Sequence, residues 1–599
     1  KDHNLAPKDF FSTQFDDAGW ADFPVPGLFE MEGYGDKTYK NAGYAWCTTF
    51  DNNPPYISET NNYTGSYRRT FDLPQDWSGQ EVYFHVGSAT SNLSLWVNGR
   101  YVGYSEDSKV AAEFNITKYL HKGQNLIAMQ VMRWCDGSWL EDQDFWRFTG
   151  IAREVYLYAR PKAHVQDIAV NTGLTNNYHD GWVSVDVEAN APSGYEIEAI
   201  LTAPDGSEAG RGLSTAGKKL FVRWDMEAPL KWTAETPTLY NLTVTLKDKK
   251  ANVLEVIPLR VGVRQVEIKN AQLLVNGQPI QIKEYGLYVT AEANLESHGM
   301  GYGEHTLAKR TDFEKMHLER NEANVRTFKN HPSIIVWSLG NEAGFGPNFE
   351  KCYTWIKGYD KTRPVQYERA PWESGYTDIT CPMYADYNWC ENYCKGNNPR
   401  PLIQCEYCHT MGNSGGGLKE YWDLVRKYPN YQGGYVWDYV DQGLRSKSKV
   451  TGKEIFAYGG DFGRFPASDN NFNINGMISP DRVPNPHAYE VKYCYQNIWT
   501  TLKNAANGEL EVYNENFFSS LDDVFMYYEL LVDGTVVANG NELMSKYNVM
   551  PQSSKVVKVS AISNALANQD YKGKEVVCHV SYGLDKDMGL LKKGEIIAQ

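Results

Sequence analysis

The sequence has no apolar run of ~18 residues or more, so nothing in it reads as a transmembrane helix. Lys1 opens no basic stretch leading into an apolar one, so no leader peptide is recognisable. The missing start methionine is compatible with a leader already removed, and cytoplasmic, periplasmic and secreted locations stay open. Positive charge is in short supply: 59 basic against 74 acidic residues give a formal net charge of −15. A phosphate backbone requires clustered Lys and Arg, so no nucleic-acid partner is expected. Cysteine is sparse, 10 in 599 residues, with spacings unlike a disulfide framework. Cys405 and Cys408 stand at C-x-x-C spacing and Cys390 with Cys394 is a looser pair. Without a second matched pair or histidines at ligand spacing, zinc is not expected.

What the chain has in excess is aromatic residues, 14% of the total. That content suits stacking against carbohydrate and equally suits well-filled β-sandwich cores. A chain of this length exceeds one hydrophobic core, so several domains are expected. Residues 1–160 alternate in the strand period between Gly, Asn and Pro turns (SYRRTFDL, EVYFHVG, LSLWVNG, NLIAMQVM), which reads as a jelly-roll sandwich. Within it, WCDGSWLEDQDFWRFTG (134–150) packs acids and tryptophans into one aperiodic loop, either a solvated face or a loop reaching into a neighbouring domain. Residues 161–264 carry VSVDVEA, YEIEAILTA, KLFVRWDM and YNLTVTLKD, an immunoglobulin-like sandwich with no visible chemistry. Residues 499–599 return to strands (ELEVYNEN, MYYELLVDG, EVVCHVSYG), a further β-sandwich.

Between them, 265–498 alternates short apolar runs with helical patterns, the grammar of a (β/α)8 barrel. Strands are expected at Gly286–Ala291, Ile334–Leu339, Val365–Tyr367, Ile379–Tyr384, Leu402–Cys405 and Gly434–Trp437. Thr311-Asp-Phe-Glu314 reads as a capping box opening a helix to about Lys329. Leu418, Tyr421, Trp422 and Val425 share one helical face. Six strands fall two short of a closed barrel. Ile280–Lys283 looks like a strand just beginning, yet Glu284 starts another with no turn between. The expectation is that roughly sixty residues, the first two β/α units, are absent at that junction.

Two of these strands end on glutamates. Glu342 follows Asn341 after IIVWSLG, and Glu406 follows LIQC before the glycine-rich GNSGGG. Hydrolysis of a glycoside with retention needs two carboxyls about 5–5.5 Å apart, one a proton donor and one a nucleophile. Barrel strand ends meet at that range. On this reading Glu342 is the acid/base, its proton affinity raised by its surroundings, and Glu406 the ionised nucleophile. The Asn341 amide is placed to hydrogen-bond a sugar hydroxyl.

The motifs NHPSIIVWSLGNEAG, CEYCHTMGNSGGG and GGYVWDYVDQGL strongly resemble glycoside hydrolase family 2 in its large β-galactosidase branch. YTGSYRRTF, WVNGRYVGYSEDS, LEDQDFWRFTGI, EYGLYVTAEANLESHGM and NFNINGMISPDRVPNPHAYEVK extend the resemblance over nearly the whole chain. It implies a retaining exo-β-galactosidase acting on terminal β-galactosides, with Glu342 as acid/base and Glu406 as nucleophile. It further implies sugar contacts from Asn41, Asp144, Tyr384, His409 and Trp437. Magnesium would be held by Glu296, His298 and Glu342, and sodium by Asp144, the backbone oxygen of Phe472 and Asn475; no organic cofactor is implied. β-Glucuronidase or β-mannosidase activity, or a non-catalytic carbohydrate-binding scaffold, are the alternatives, and a homo-oligomer is compatible. The chain departs from the family pattern in several places. Substrate-binding segments of the first two barrel strands are missing at Lys283/Glu284, and Ala291 stands where an aspartate is usual. Cys408 and Thr410 vary the nucleophile motif, and no counterpart of the large C-terminal domain follows Gln599.

Overall fold

The computed structural model describes residues 3–46, 51–283, 288–463 and 468–599. In the first sandwich, Thr64–Asp72, Gln124–Met132, Leu93–Val97 and Arg100–Ser105 form one antiparallel sheet. Val155–Arg160, Glu81–Val86 and Ala112–Asn115 form the sheet opposite. The period-two pattern sends Val82, Phe84 and Val86 inward against Leu93, Leu95 and Val97, as alternation dictates. The second sandwich packs a three-stranded sheet on a four-stranded one. Beyond the expected strands it contains His164–Thr175, Glu208–Ser214 and Val253–Val261, whose mixed burial blurs the alternation. A last sandwich likewise pairs sheets of three and four strands around Val512, Met526 and Val557.

The barrel strands run parallel. Val289–Glu292 pairs with Ile334–Ser338, which pairs with Val365–Gln366. The segment expected at Ile379–Tyr384 makes single parallel bridges, Thr380 to Leu402 and Met383 to Glu406, in place of a continuous ladder. Leu402–Tyr407 pairs with Tyr431–Val436. Ile282 then bridges Gly433 in parallel, so Ile280–Lys283 does occupy a barrel position and the number of strands exceeds the expected six by that one. Glu284 to Leu287, where residues were expected to be missing, lie outside the described residues. Among the described residues no ladder joins Ile280–Lys283 to Val289–Glu292. Thr290 Oγ1 and Tyr435 Oη instead hydrogen-bond across the interior at 2.6 Å.

Four helices clothe this sheet: α1 Glu314–Phe328, α2 Pro347–Tyr359, α3 Tyr387–Lys395 and α4 Leu418–Lys427. The capping box expected at Thr311 is not made. Thr311 sits inside a 3-10 turn, and Arg310 takes Asp312 in an ion pair that fixes the helix entry instead. α4 turns the expected face inward, with Leu418 and Trp422 fully buried and the Trp422 indole donating to Tyr407 Oη at 3.1 Å.

The acidic loop of the first sandwich reaches the barrel. Glu141 pairs with Arg320 of α1 at 2.7 Å, and Trp146 Nε1 donates to the Gln442 carbonyl at 2.6 Å. Gln442 Nε2 returns a bond to the Asp144 carbonyl at 3.0 Å. Glu235 of the second sandwich accepts the backbone N–H groups of Phe517, Phe518 and Ser519, tying the last sandwich down.

Candidate active site

The strand ends open onto a cavity of about 430 Å³. Glu406 leaves the C-terminal end of Leu402–Tyr407, and Tyr384 Oη donates to its Oε2 at 2.7 Å. Glu342 follows a sharp exit from Ile334–Ser338 at Gly340, φ 146°, where a Cβ would lie 2.6 Å from the Leu295 carbonyl. Both glutamates line the cavity.

The cavity also brings together Asn41 and Asp144 of the first sandwich with Asn341, Tyr384, His409 and Trp437 of the barrel. Asp144 accepts the Tyr39 hydroxyl and, at 3.3 Å, the Trp437 indole N–H. His409 presents a buried Nε2 with no partner among the described residues, a polar handle facing the cavity. The Asn341 amide nitrogen donates to Glu296 Oε2 at 3.1 Å.

The order of proton affinities runs against expectation. Burial pushes the Glu406 carboxyl up to about 8, and Glu342, Glu292 and Glu368 reinforce this against the Tyr384 hydroxyl. Burial raises Glu342 too, but His298, Tyr302 and Arg369 outweigh it and hold that carboxyl below its ordinary value. Glu342 has cationic partners; Glu406 has a hydroxyl among carboxylates.

Glu296, His298 and Glu342 bring donor atoms within 4.8 Å of one another. His298 Nδ1 is 2.9 Å from Glu342 Oε2 and 3.8 Å from Glu296 Oε1. Burial first, then Glu342 and Asp142, push the Glu296 carboxyl well above its usual range. This donor set fits a hard divalent ion. Burial also lifts Asp144, to about 6. Asn475 has both amide atoms buried without a partner among the described residues, and its carbonyl accepts the Asp438 N–H beside Trp437. Phe472 lines the cavity next to the His409 ring.

Glu292, Glu368, Arg369 and Tyr302 were among the residues at the site not singled out from the sequence. Glu292 closes Val289–Glu292 and receives Ser338 Oγ at 2.8 Å. Glu368 and Arg369 follow Val365–Gln366 directly after Tyr367. The rule that selected Glu342 and Glu406, an acid just past a barrel strand, applies to both glutamates. Tyr302 lies in a loop and carried no such signal.

Four family models cover the chain in order: glycosyl hydrolases family 2, sugar binding domain (5–161); glycosyl hydrolases family 2 (163–264); glycosyl hydrolases family 2, TIM barrel domain (281–500); and beta-galactosidase, domain 4 (510–599). The beta-galactosidase of Priestia megaterium is 34% identical over 99% of this chain and 63% of its own length. That of Photobacterium profundum is 37% identical over 89% of this chain and 58% of its own. The chain thus spans about three-fifths of the length of the curated relatives it matches. Among solved structures, a Bacteroides uniformis beta-glucuronidase superposes with a TM-score of 0.62 at 17% identity, covering 96% of this chain and 78% of that one, a likeness of fold. With every segment from the first sandwich to the last matched in order, the chain belongs to glycosyl hydrolase family 2, in its large β-galactosidase branch.

Proposed function

We propose that this chain carries the catalytic apparatus of a retaining exo-β-galactosidase that releases terminal β-galactose. The observation that carries the reading is one cavity lined by two strand-end glutamates together with an aromatic floor and polar groups suited to a sugar. Glu406 attacks the anomeric carbon while Glu342 gives its proton to the departing glycosidic oxygen, leaving a galactosyl ester on Glu406 and the aglycone as an alcohol. Glu342, now a carboxylate, takes a proton from water, whose oxygen displaces Glu406 and completes the second inversion.

Burial and neighbouring carboxylates raise the proton affinity of Glu406, whereas His298, Tyr302 and Arg369 lower that of Glu342. Positive charge developing at the anomeric carbon beside Glu406 favours its ionised form during reaction. Trp437 presents its ring to the sugar face, and His409, Asn41, Asp144 and Tyr384 supply hydrogen bonds. Magnesium at Glu296, His298 and Glu342 would add positive charge beside the acid/base, and sodium at Asp144, Phe472 and Asn475 would seat the sugar. The partner is a β-galactoside oligosaccharide or glycan. Among the described residues no helix is long and apolar enough to cross a membrane.

A panel of nitrophenyl glycosides tests the substrate, with the β-galactoside turned over fastest; preference for the glucuronide or mannoside would reject the choice. Glu406→Gln is expected to abolish turnover while galactose binding persists, and unchanged turnover would remove Glu406 from the nucleophile's role.

A further inference from the structure

Three consecutive residues after the strand Val365–Gln366 grip the turn that carries Glu342. Tyr367 Oη donates to the Gly344 carbonyl at 2.6 Å and accepts the Ala343 N–H at 3.3 Å. Glu368 Oε1 accepts the Glu342 N–H at 3.0 Å. Arg369 reaches the side chain itself, Nη2 lying 3.2 Å from Glu342 Oε1, while its Nε lies 2.9 Å from Glu368 Oε1. The guanidinium rests on the Tyr302 ring, 3.8 Å from its centroid, and the Tyr302 hydroxyl donates to the same Glu342 Oε1 at 2.9 Å.

The grip is aimed at a strained position. Glu342 has φ 40°, a left-handed conformation that a side-chain-bearing residue holds only when its surroundings over-determine it. Tyr367 and Glu368 fix the backbone; Arg369 and Tyr302 act on the carboxyl. A planar, two-sided donor that is stacked on a ring and charge-paired with Glu368 has little freedom, so it transmits a fixed orientation to its partner.

We propose that Arg369 is a positioning residue for the glycosidic reaction: held by Glu368 and Tyr302, it sets the Glu342 carboxyl in the orientation from which it exchanges a proton with the departing oxygen. This rests on the reading of Glu342 as the proton carrier. Misplacing a reacting group by about 1 Å can cost on the order of a hundredfold. The cost falls where protonation of the leaving group matters, and little of it where the leaving group departs unaided.

The test uses the full chain and a series of aryl β-galactosides from phenyl to 2,4-dinitrophenyl. Arg369→Met is expected to lower kcat/KM about 10- to 100-fold for phenyl galactoside and about threefold or less for the dinitrophenyl substrate, with Arg369→Lys recovering part of the loss. Equal loss across the series, or none, would overturn the proposal, because a structural defect does not read leaving-group acidity. Tyr302, 39% exposed, can be changed without threatening the core. Tyr302→Leu should show the same gradient in weaker form, and if Arg369→Met does not fold, a flat response in Tyr302→Leu and Arg369→Lys counts against the proposal. Glu342→Gln run alongside separates the two ideas. If that variant shows no gradient, the acid/base reading fails; if it does and the Arg369 variants do not, only the positioning role fails.

Discussion

Replacing Glu406 by Gln should make the protein more stable, and only at a pH where the wild-type carboxyl has reason to ionise. Burial among Glu342, Glu292 and Glu368 lifts this group from 4.5 to about 8. Between those values the folded chain holds a proton that the unfolded chain has released, so wild-type stability falls as pH rises through that window and is unpenalised below it. At about 1.4 kcal/mol per pH unit, the penalty reaches about 3 kcal/mol at pH 7 and about 5 kcal/mol from pH 8 upward. Glu406 faces an open cavity whose water solvates the charge, so about half of that is expected, or ~1.5 kcal/mol at pH 7. Gln keeps the shape and still accepts the Tyr384 hydroxyl. For a unit of barrel size this corresponds to a rise of roughly 3–6 °C in the barrel's melting transition at pH 7. Differential scanning calorimetry at pH 4.5, 7 and 8 should give no gain, that gain, and a larger one. A gain of equal size at pH 4.5 and pH 8 would refute the argument, because it would have nothing to do with ionisation; so would no gain at any pH.

Two further outcomes follow from the same electrostatics. The pH profile of kcat/KM on nitrophenyl galactoside should fall at high pH through about 8, where the pair loses its last proton, and at low pH only below the ordinary carboxylate value; a high-pH limb below pH 7 would contradict it. Magnesium should raise the melting temperature of wild-type protein, and Glu296→Gln should abolish that rise as read by a thermal shift titration, whereas an undiminished rise would place the ion elsewhere.

Much of this fold was legible because local patterns and tertiary packing agree. Alternation in EVYFHV and LSLWV, and the apolar stripe of α4, survive into the structure because each buries one face of one element. The same logic failed at Thr311, where a neighbouring Arg–Asp pair competed for the helix entry. Ile280–Lys283 was legible as a strand just beginning, but its partner Gly433, bridged by Ile282, lies 151 positions further along the sequence, so the pairing itself was not. For the site, strand-end position was a strong signal for Glu342 and Glu406, and the resemblance singled out residues that line the same cavity. Neither could supply the proton order, which depends on which charges surround each carboxyl in space. Tyr302 and Arg369 give Glu342 what Glu406 lacks, and no spacing in the sequence announces that.

The cavity wall is divided between two parts of the chain: Asn41 and Asp144 come from the first sandwich, while the glutamates and Trp437 come from the barrel. A sugar that touches both binds only when they are docked. By mass action it then holds them together, adding about 2.7 kcal/mol to the docked state at a hundred times its Kd. The substrate is therefore an adhesive as well as a reactant. On warming, galactose should therefore raise the temperature at which turnover is lost.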